Sequence, residues 1–134
     1  MNLAIEFHDS ELTSMGKRGD VLQLRLNAYI HKSEGRPGVD AGTGWWQDTQ
    51  ITVERGVVEG PITNWPAEMY DGVLEIDGER FDNGVPVPFE RVGEVRLTLK
   101  LSYDDPFVVL GSGVRVELSH GAPVCIEEFP GTNE

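Results

Sequence analysis

Histidine, aspartate and serine stand side by side at His8-Asp9-Ser10, the three residue types of a hydrolytic triad. In a triad the serine and the aspartate address opposite nitrogens of one imidazole from separate points of the chain. Three consecutive residues at the end of an extended run do not reach that arrangement. The expected role of Asp9 and Ser10 is therefore local, their side chains satisfying turn amides. The other histidines, His31 and His120, also fall at the ends of expected strands. A zinc centre would need three or four ligands, with Asp9, Asp40 or Asp48 joining the histidines. No two histidines lie three to five residues apart, so the sequence predicts no metal centre. A carboxylate pair could act on a glycosidic bond, but the acidic residues fall mostly on polar strand faces and in turns. The run GRPGVDAGTGWW matches neither phosphate-cradling fingerprint and leads into a strand, so no nucleotide cofactor is expected. Cys125, the only cysteine, has no basic neighbour in sequence and reads as a buried structural thiol. No catalytic residue is predicted.

The aromatic residues give a sharper signal. Trp45 and Trp46 adjoin a glycine-rich loop at 33–44, and Trp65 and Tyr70 lie in a second irregular connection at 60–71. Consecutive tryptophans on an extended strand point to opposite faces, so one belongs to the core and the other to the surface. If the two loops meet at one end of the sheet, Trp46, Trp65 and Tyr70 form an aromatic surface rimmed by Asp40, Asp48, Glu68 and Asp71. Aromatic anchors with an acidic rim suit a partner that is part apolar and part cationic or hydroxyl-rich. The competing reading has both loops folded over the sheet, with the rings filling the gap.

Strands must position these groups. From Glu94 to Tyr103, Val95, Leu97, Leu99, Leu101 and Tyr103 alternate with polar residues. A period of two gives an extended strand one apolar face and one polar face. Asp104-Asp105-Pro106 is a turn, and 107–119 folds back beside the first strand. Phe107 and Val109 sit on odd positions, whereas Val114, Val116 and Leu118 sit on even ones. A bulge at Gly111-Ser112-Gly113 within one bent strand accounts for the change, as would a hairpin turn, and the bulge is preferred because FVVL alone would make a short strand. Leu22, Leu24, Leu26, Ala28 and Ile30 alternate in the same way over 21–32, and 10–15 with 21–32 reads as a hairpin. Leu3, Ile5 and Phe7 mark a first short strand, which Asp9-Ser10 breaks. A strand is expected over 47–58 and another over 72–77, the latter closed by the Asp77-Gly78 turn. Val85-Pro86-Val87-Pro88 belongs on an edge. The segment 66–70 forms one helical turn at most. Val124, Ile126 and Phe129 form a last short strand, and 130–134 frays.

The result is an all-β chain of one domain, residues 1–134: an antiparallel β-sandwich of about eight or nine strands, with a closed β-barrel as the alternative. With 23 acidic and 11 basic residues, the net charge is −12. That field repels phosphate backbones and anionic lipid, so nucleic acid and membrane surfaces are not expected partners; it favours a basic protein partner, with solubility alone the preferred reading of the charge. No basic leader and no apolar run of about 20 residues is present, which places the protein in the cytoplasm. The expected function is a non-catalytic interaction or structural module, with self-association open to an edge strand with an apolar face. The alternative is a small-ligand or carbohydrate binder, with or without hydrolytic activity, using Trp46, Trp65 and nearby carboxylates.

Overall fold

Alternation of apolar and polar residues runs through most of the chain, and the strands it produces are long. The computed structural model describes residues 2–119, 121 and 124–129. Ten strands are present among them: β1 (Asn2–Arg18), β2 (Val21–Ser33), β3 (Gly42–Glu54), β4 (Val57–Glu59), β5 (Ala67–Ile76), β6 (Glu79–Asp82), β7 (Gly84–Pro86), β8 (Phe89–Leu101), β9 (Phe107–Leu118) and β10 (Val124–Phe129). Every pairing between them is antiparallel. Strands β3, β2, β1, β5, β8 and β9 neighbour one another in that order, and β9 pairs back onto β3 to close a six-stranded barrel. Closure is the barrel of the two architectures expected from the sequence. The other four strands flank the ring: β4 on β9, β6 on β5, β7 on β1 and β10 on β3. No helix long and apolar enough to cross a membrane occurs among the described residues.

The alternating apolar positions fill the interior. Leu22, Leu24, Leu26, Ala28 and Ile30 of β2 are all buried, as are Val95, Leu97, Leu99 and Leu101 of β8. Burying each such side chain contributes about 1.5–3 kcal/mol. Tyr103, the fifth apolar position of that run, is instead 72% exposed, because β8 ends at Leu101 and the chain has already left the sheet.

Turns and irregularities follow local chemistry. Asp77 and Gly78 both take positive φ, 47° and 84°, between Ile76 and Glu79, which are paired. Such a two-residue mirror-image turn matches the twist of the strands it joins. Residues Phe107–Leu118 form one continuous strand rather than a hairpin. Its extra residues lie on the partner, however: Val92 and Val95 face Gly113 and Gly111, so Gly93 and Glu94 stand against Ser112 alone. Here β9 exchanges β4 for β3 as its outer neighbour, and Gly111 permits the approach. A Cβ at Gly111 would lie 2.3 Å from Val53 Cγ1.

Three expectations are corrected. The strand expected over 47–58 is two strands, β3 ending at Glu54 and β4 starting at Val57, because the chain turns at Arg55, which takes φ 52°. Residues 67–71 are strand: Ala67 and Met69 are buried while Glu68 and Tyr70 are exposed, a period of two that begins directly after Pro66. Cys125 is exposed, because β10 lies beside the closed ring rather than in it. His120 and residues 130–134 lie outside the described residues, so the expectations placed on them have no structural counterpart.

Candidate functional site

The His8-Asp9-Ser10 segment turns out to be a large bulge. Strand β1 takes five steps from Glu6 to Glu11, while β2 takes two, from Tyr29 to Asn27. The buried positions accordingly change from odd (Ile5, Phe7) to even (Ser10, Leu12). Asp9 adopts φ 69°, a left-handed value that aspartate tolerates better than most residues. Ser10 bridges the interrupted ladder: its hydroxyl donates to the Glu6 carbonyl (2.6 Å) and accepts the Tyr29 amide hydrogen (2.8 Å). Being buried and committed in both directions, it is a structural hydroxyl. Asn83 satisfies two amides of the bulge, its carbonyl accepting from Phe7 N–H (2.8 Å) and its side-chain oxygen from His8 N–H (2.7 Å). Beneath, Phe7 packs where Gly72 carries no side chain, since a Cβ there would lie 2.5 Å from the Phe7 ring.

The bulge turns His8 and Asp9 outward. His8 Nδ1 lies 3.1 Å from the Tyr70 carbonyl, which can only accept, and Nε2 lies 3.5 Å from the Asp9 carboxylate. Around them the outer wall of the barrel holds an open cavity of about 460 Å³. Trp46 of β3, Asn27 of β2, Glu11 of β1 and Glu68, Met69 and Tyr70 of β5 line it together with the bulge. Its volume lies in the range of pockets that hold small ligands. Met69 is buried, whereas Trp46 is 44% and Tyr70 53% exposed. Glu11 and Glu68 face each other directly across the β1–β5 ladder.

The predicted site residues divide. Trp46 and Tyr70 line this one cavity. Asp48 stands two residues from Trp46 on β3, exposed and opposite Asn27, which lines the cavity. Trp65 and Asp40 do not line it. Trp65 is 44% exposed in the 60–66 connection and donates from Nε1 to the Ile62 carbonyl (3.1 Å). That connection is tied to Asp104, whose carboxylate accepts from Thr63 Oγ1 (2.6 Å) and from the amides of Thr63 and Asn64 (3.2 Å each). Chiefly the Thr63 hydroxyl holds the Asp104 carboxyl below its usual range. Asp40 closes the loop between β2 and β3 by accepting from Arg36 N–H (2.6 Å). His31, buried, accepts the Gly38 amide hydrogen at Nδ1, and Asn2 donates to the Gly35 carbonyl (2.6 Å), so this loop is tied down from three sides. Among the described residues no three His, Cys, Asp or Glu side chains converge as metal ligands.

The two tryptophans of the Trp45-Trp46 pair part as alternation requires. Trp45 packs on the core, donates from Nε1 to Thr43 Oγ1 (2.7 Å), and has Lys32 Nζ 4.1 Å from its ring. A larger cavity, about 730 Å³, lies between residues 35–37 and β6–β7, lined by Arg36, Phe81, Asp82 and Pro86 among others. Its polar side chains are Asn2, Arg36 and Asp82, of which Asp82 is already paired with Arg80 (2.8 Å) and Asn2 with the Gly35 carbonyl (2.6 Å). The smaller cavity therefore holds the richer chemistry.

The sequence singles out neither Glu11 nor Met69, and it brings up His8 and Asp9 only as triad or metal-ligand candidates, because the aromatic loops point to a site elsewhere. The signal available was the shift of the buried parity between Phe7 and Leu12, which marks a bulge. Taken together, the molecule is a closed antiparallel barrel with an aromatic and acidic cavity on its outer wall. No protein family, curated protein or solved structure matches the chain.

Proposed function

We propose that this chain is a non-catalytic interaction module that binds a basic, partly apolar protein segment on the outer wall formed by β3, β2, β1 and β5. The observation that carries the reading is the cavity that joins two half-exposed rings, Trp46 and Tyr70, to the carboxylates of Glu11 and Glu68. Rings of this exposure bring large rigid contact area to an interface, and acidic neighbours select and steer a cationic partner. The overall charge of −12 supports the same direction of attraction. Of the two serines that line the cavity, Ser10 and Ser102, Ser10 is taken up by backbone hydrogen bonds in both directions.

The test is a titration with a lysine- and leucine-containing peptide, followed by the indole N–H signal of Trp46. Saturable binding that weakens with salt and is lost in Trp46→Ala supports the module. If the acidic counterpart peptide binds equally well, or Trp46→Ala has no effect, the reading fails. Saturation by neutral oligosaccharides, with no response to the basic peptide, would replace it with the carbohydrate alternative.

A further inference from the structure

Most acidic residues that stand in the strand ladders face a base or a neutral residue. Glu75 lies between Arg80 and Arg96, Glu90 faces Arg115, and Asp71 faces Lys100. Two of these pairs close as ion pairs, Arg115 Nε to Glu90 at 2.9 Å and Lys100 Nζ to Asp71 at 3.6 Å. Among the described residues, Glu11 and Glu68 are the one pair of carboxylates placed directly opposite each other. Like charges in that position repel, and no lysine or arginine of the described residues lies within ion-pair distance of either. The pair stands on the wall of an open cavity, beside the half-exposed rings of Trp46 and Tyr70.

The aromatic side of the cavity has the matching deficit. Trp45 has its cation, since Lys32 stands over its ring. Trp46, one residue on and on the opposite face, has none among the described residues, although its ring is nearly half exposed. The π face of a tryptophan attracts an ammonium or guanidinium group, most strongly where solvent is partly excluded. One cavity thus holds a ring open to a cation and a carboxylate pair that a cation would relieve.

Building on the partner-binding reading above, we infer that this cavity is a receptor for a single cationic side chain of the partner. The head group, an ammonium (plain or N-methylated) or a guanidinium, enters between Trp46 and Tyr70, whose half-exposed rings also flank its aliphatic stem, and neutralises the Glu11–Glu68 pair. Asn27 and Ser102 add polar lining where the peptide chain passes the rim. No bond is made or broken. The partner contributes charge and the barrel contributes the shaped recess.

The experiment uses the whole chain and alanine-rich peptides that carry one central lysine, trimethyllysine, arginine, acetyl-lysine or norleucine, with tetramethylammonium chloride as a competitor. Binding is read from the Trp46 indole signal. The lysine, trimethyllysine and arginine peptides are expected to saturate the site and to be displaced by tetramethylammonium. The acetyl-lysine and norleucine peptides are expected to bind at least about tenfold more weakly, the loss of one charge–ring and charge–carboxylate contact. Glu68→Gln and Glu11→Gln should each weaken the lysine peptide about tenfold, whereas Glu117→Gln, with the same loss of charge elsewhere on the wall, should not. Thermal melts of each variant separate lost binding from lost folding. Equal affinity for the norleucine and lysine peptides, or unchanged affinity in both Glu→Gln variants, overturns the inference. If a lysine-rich peptide binds in a Trp46-dependent way but tetramethylammonium never displaces it, the module stands and the single-cation receptor falls. If no cationic peptide binds, both fall.

Discussion

Ser10 and Tyr29 are joined through a hydroxyl where two strands have lost their backbone register, Ser10 Oγ lying 2.8 Å from Tyr29 N. The same hydroxyl donates to Glu6 O, so one side chain replaces two ladder contacts inside the β1 bulge. Ser10→Ala leaves a buried amide and a carbonyl without their partner, and is expected to destabilise the fold by about 1–3 kcal/mol. Chemical denaturation measures it. A loss below about 0.5 kcal/mol would mean that the bulge does not depend on the hydroxyl.

Glu68→Gln removes one member of the only directly opposed carboxylate pair among the described ladders. It should raise stability by roughly 0.2–1 kcal/mol. The gain should shrink as salt screens the repulsion. A variant that is less stable than the parent would show that the pair is compensated by contacts other than an external cation.

Trp45 and Trp46 should respond differently to truncation. Trp45 packs on the core and carries Lys32, so Trp45→Ala is expected to cost on the order of 3 kcal/mol. Trp46→Ala removes a ring that is 44% exposed and should cost about 1 kcal/mol or less. Comparable melting losses in the two variants would make Trp46 a core residue and close the proposed surface.

Asp104 tethers the 60–66 connection, and its carboxyl is held below the usual range first by the Thr63 hydroxyl. A carboxyl depressed on folding stabilises above its unfolded pKa of about 3.9, and that contribution is lost as pH falls through the lower folded value. The indole signal of Trp65 is therefore expected to hold steady down to about pH 4 and to change only in stronger acid. Asp104→Asn should abolish that acid transition. A change in Trp65 between about pH 5 and 7 would assign the transition to another group.

How much of this was legible beforehand depends on the distance over which each feature is determined. The strands around Leu22–Ile30 and Val95–Leu101 announce themselves because period two is written in consecutive residues. The Asp77-Gly78 turn is equally local. Barrel closure is not, since it needs Thr49–Glu54 to meet Gly113–Leu118, and the same alternation serves a sandwich. The strand at 67–71 was masked by Pro66, which reads as a breaker, although Pro66 lies just outside the ladder. Trp46 and Tyr70 were legible as exposed rings, but their meeting was not. The bulge that sets His8 and Asp9 beside them is held by Asn83 and Tyr29, residues far along the chain.

Gly72 gives the cavity an unexpected dependence. Phe7 occupies the space that any larger residue at 72 would claim, and Phe7 is the last core residue before the chain turns out at His8. The shape of the cavity wall is therefore inherited from the interior. A single methyl group added at position 72 would change no surface residue, yet it would push on the ring that anchors the bulge. Variation confined to the core can in this way reshape the outer cavity, and a screen of the proposed binding restricted to exposed positions would overlook that route.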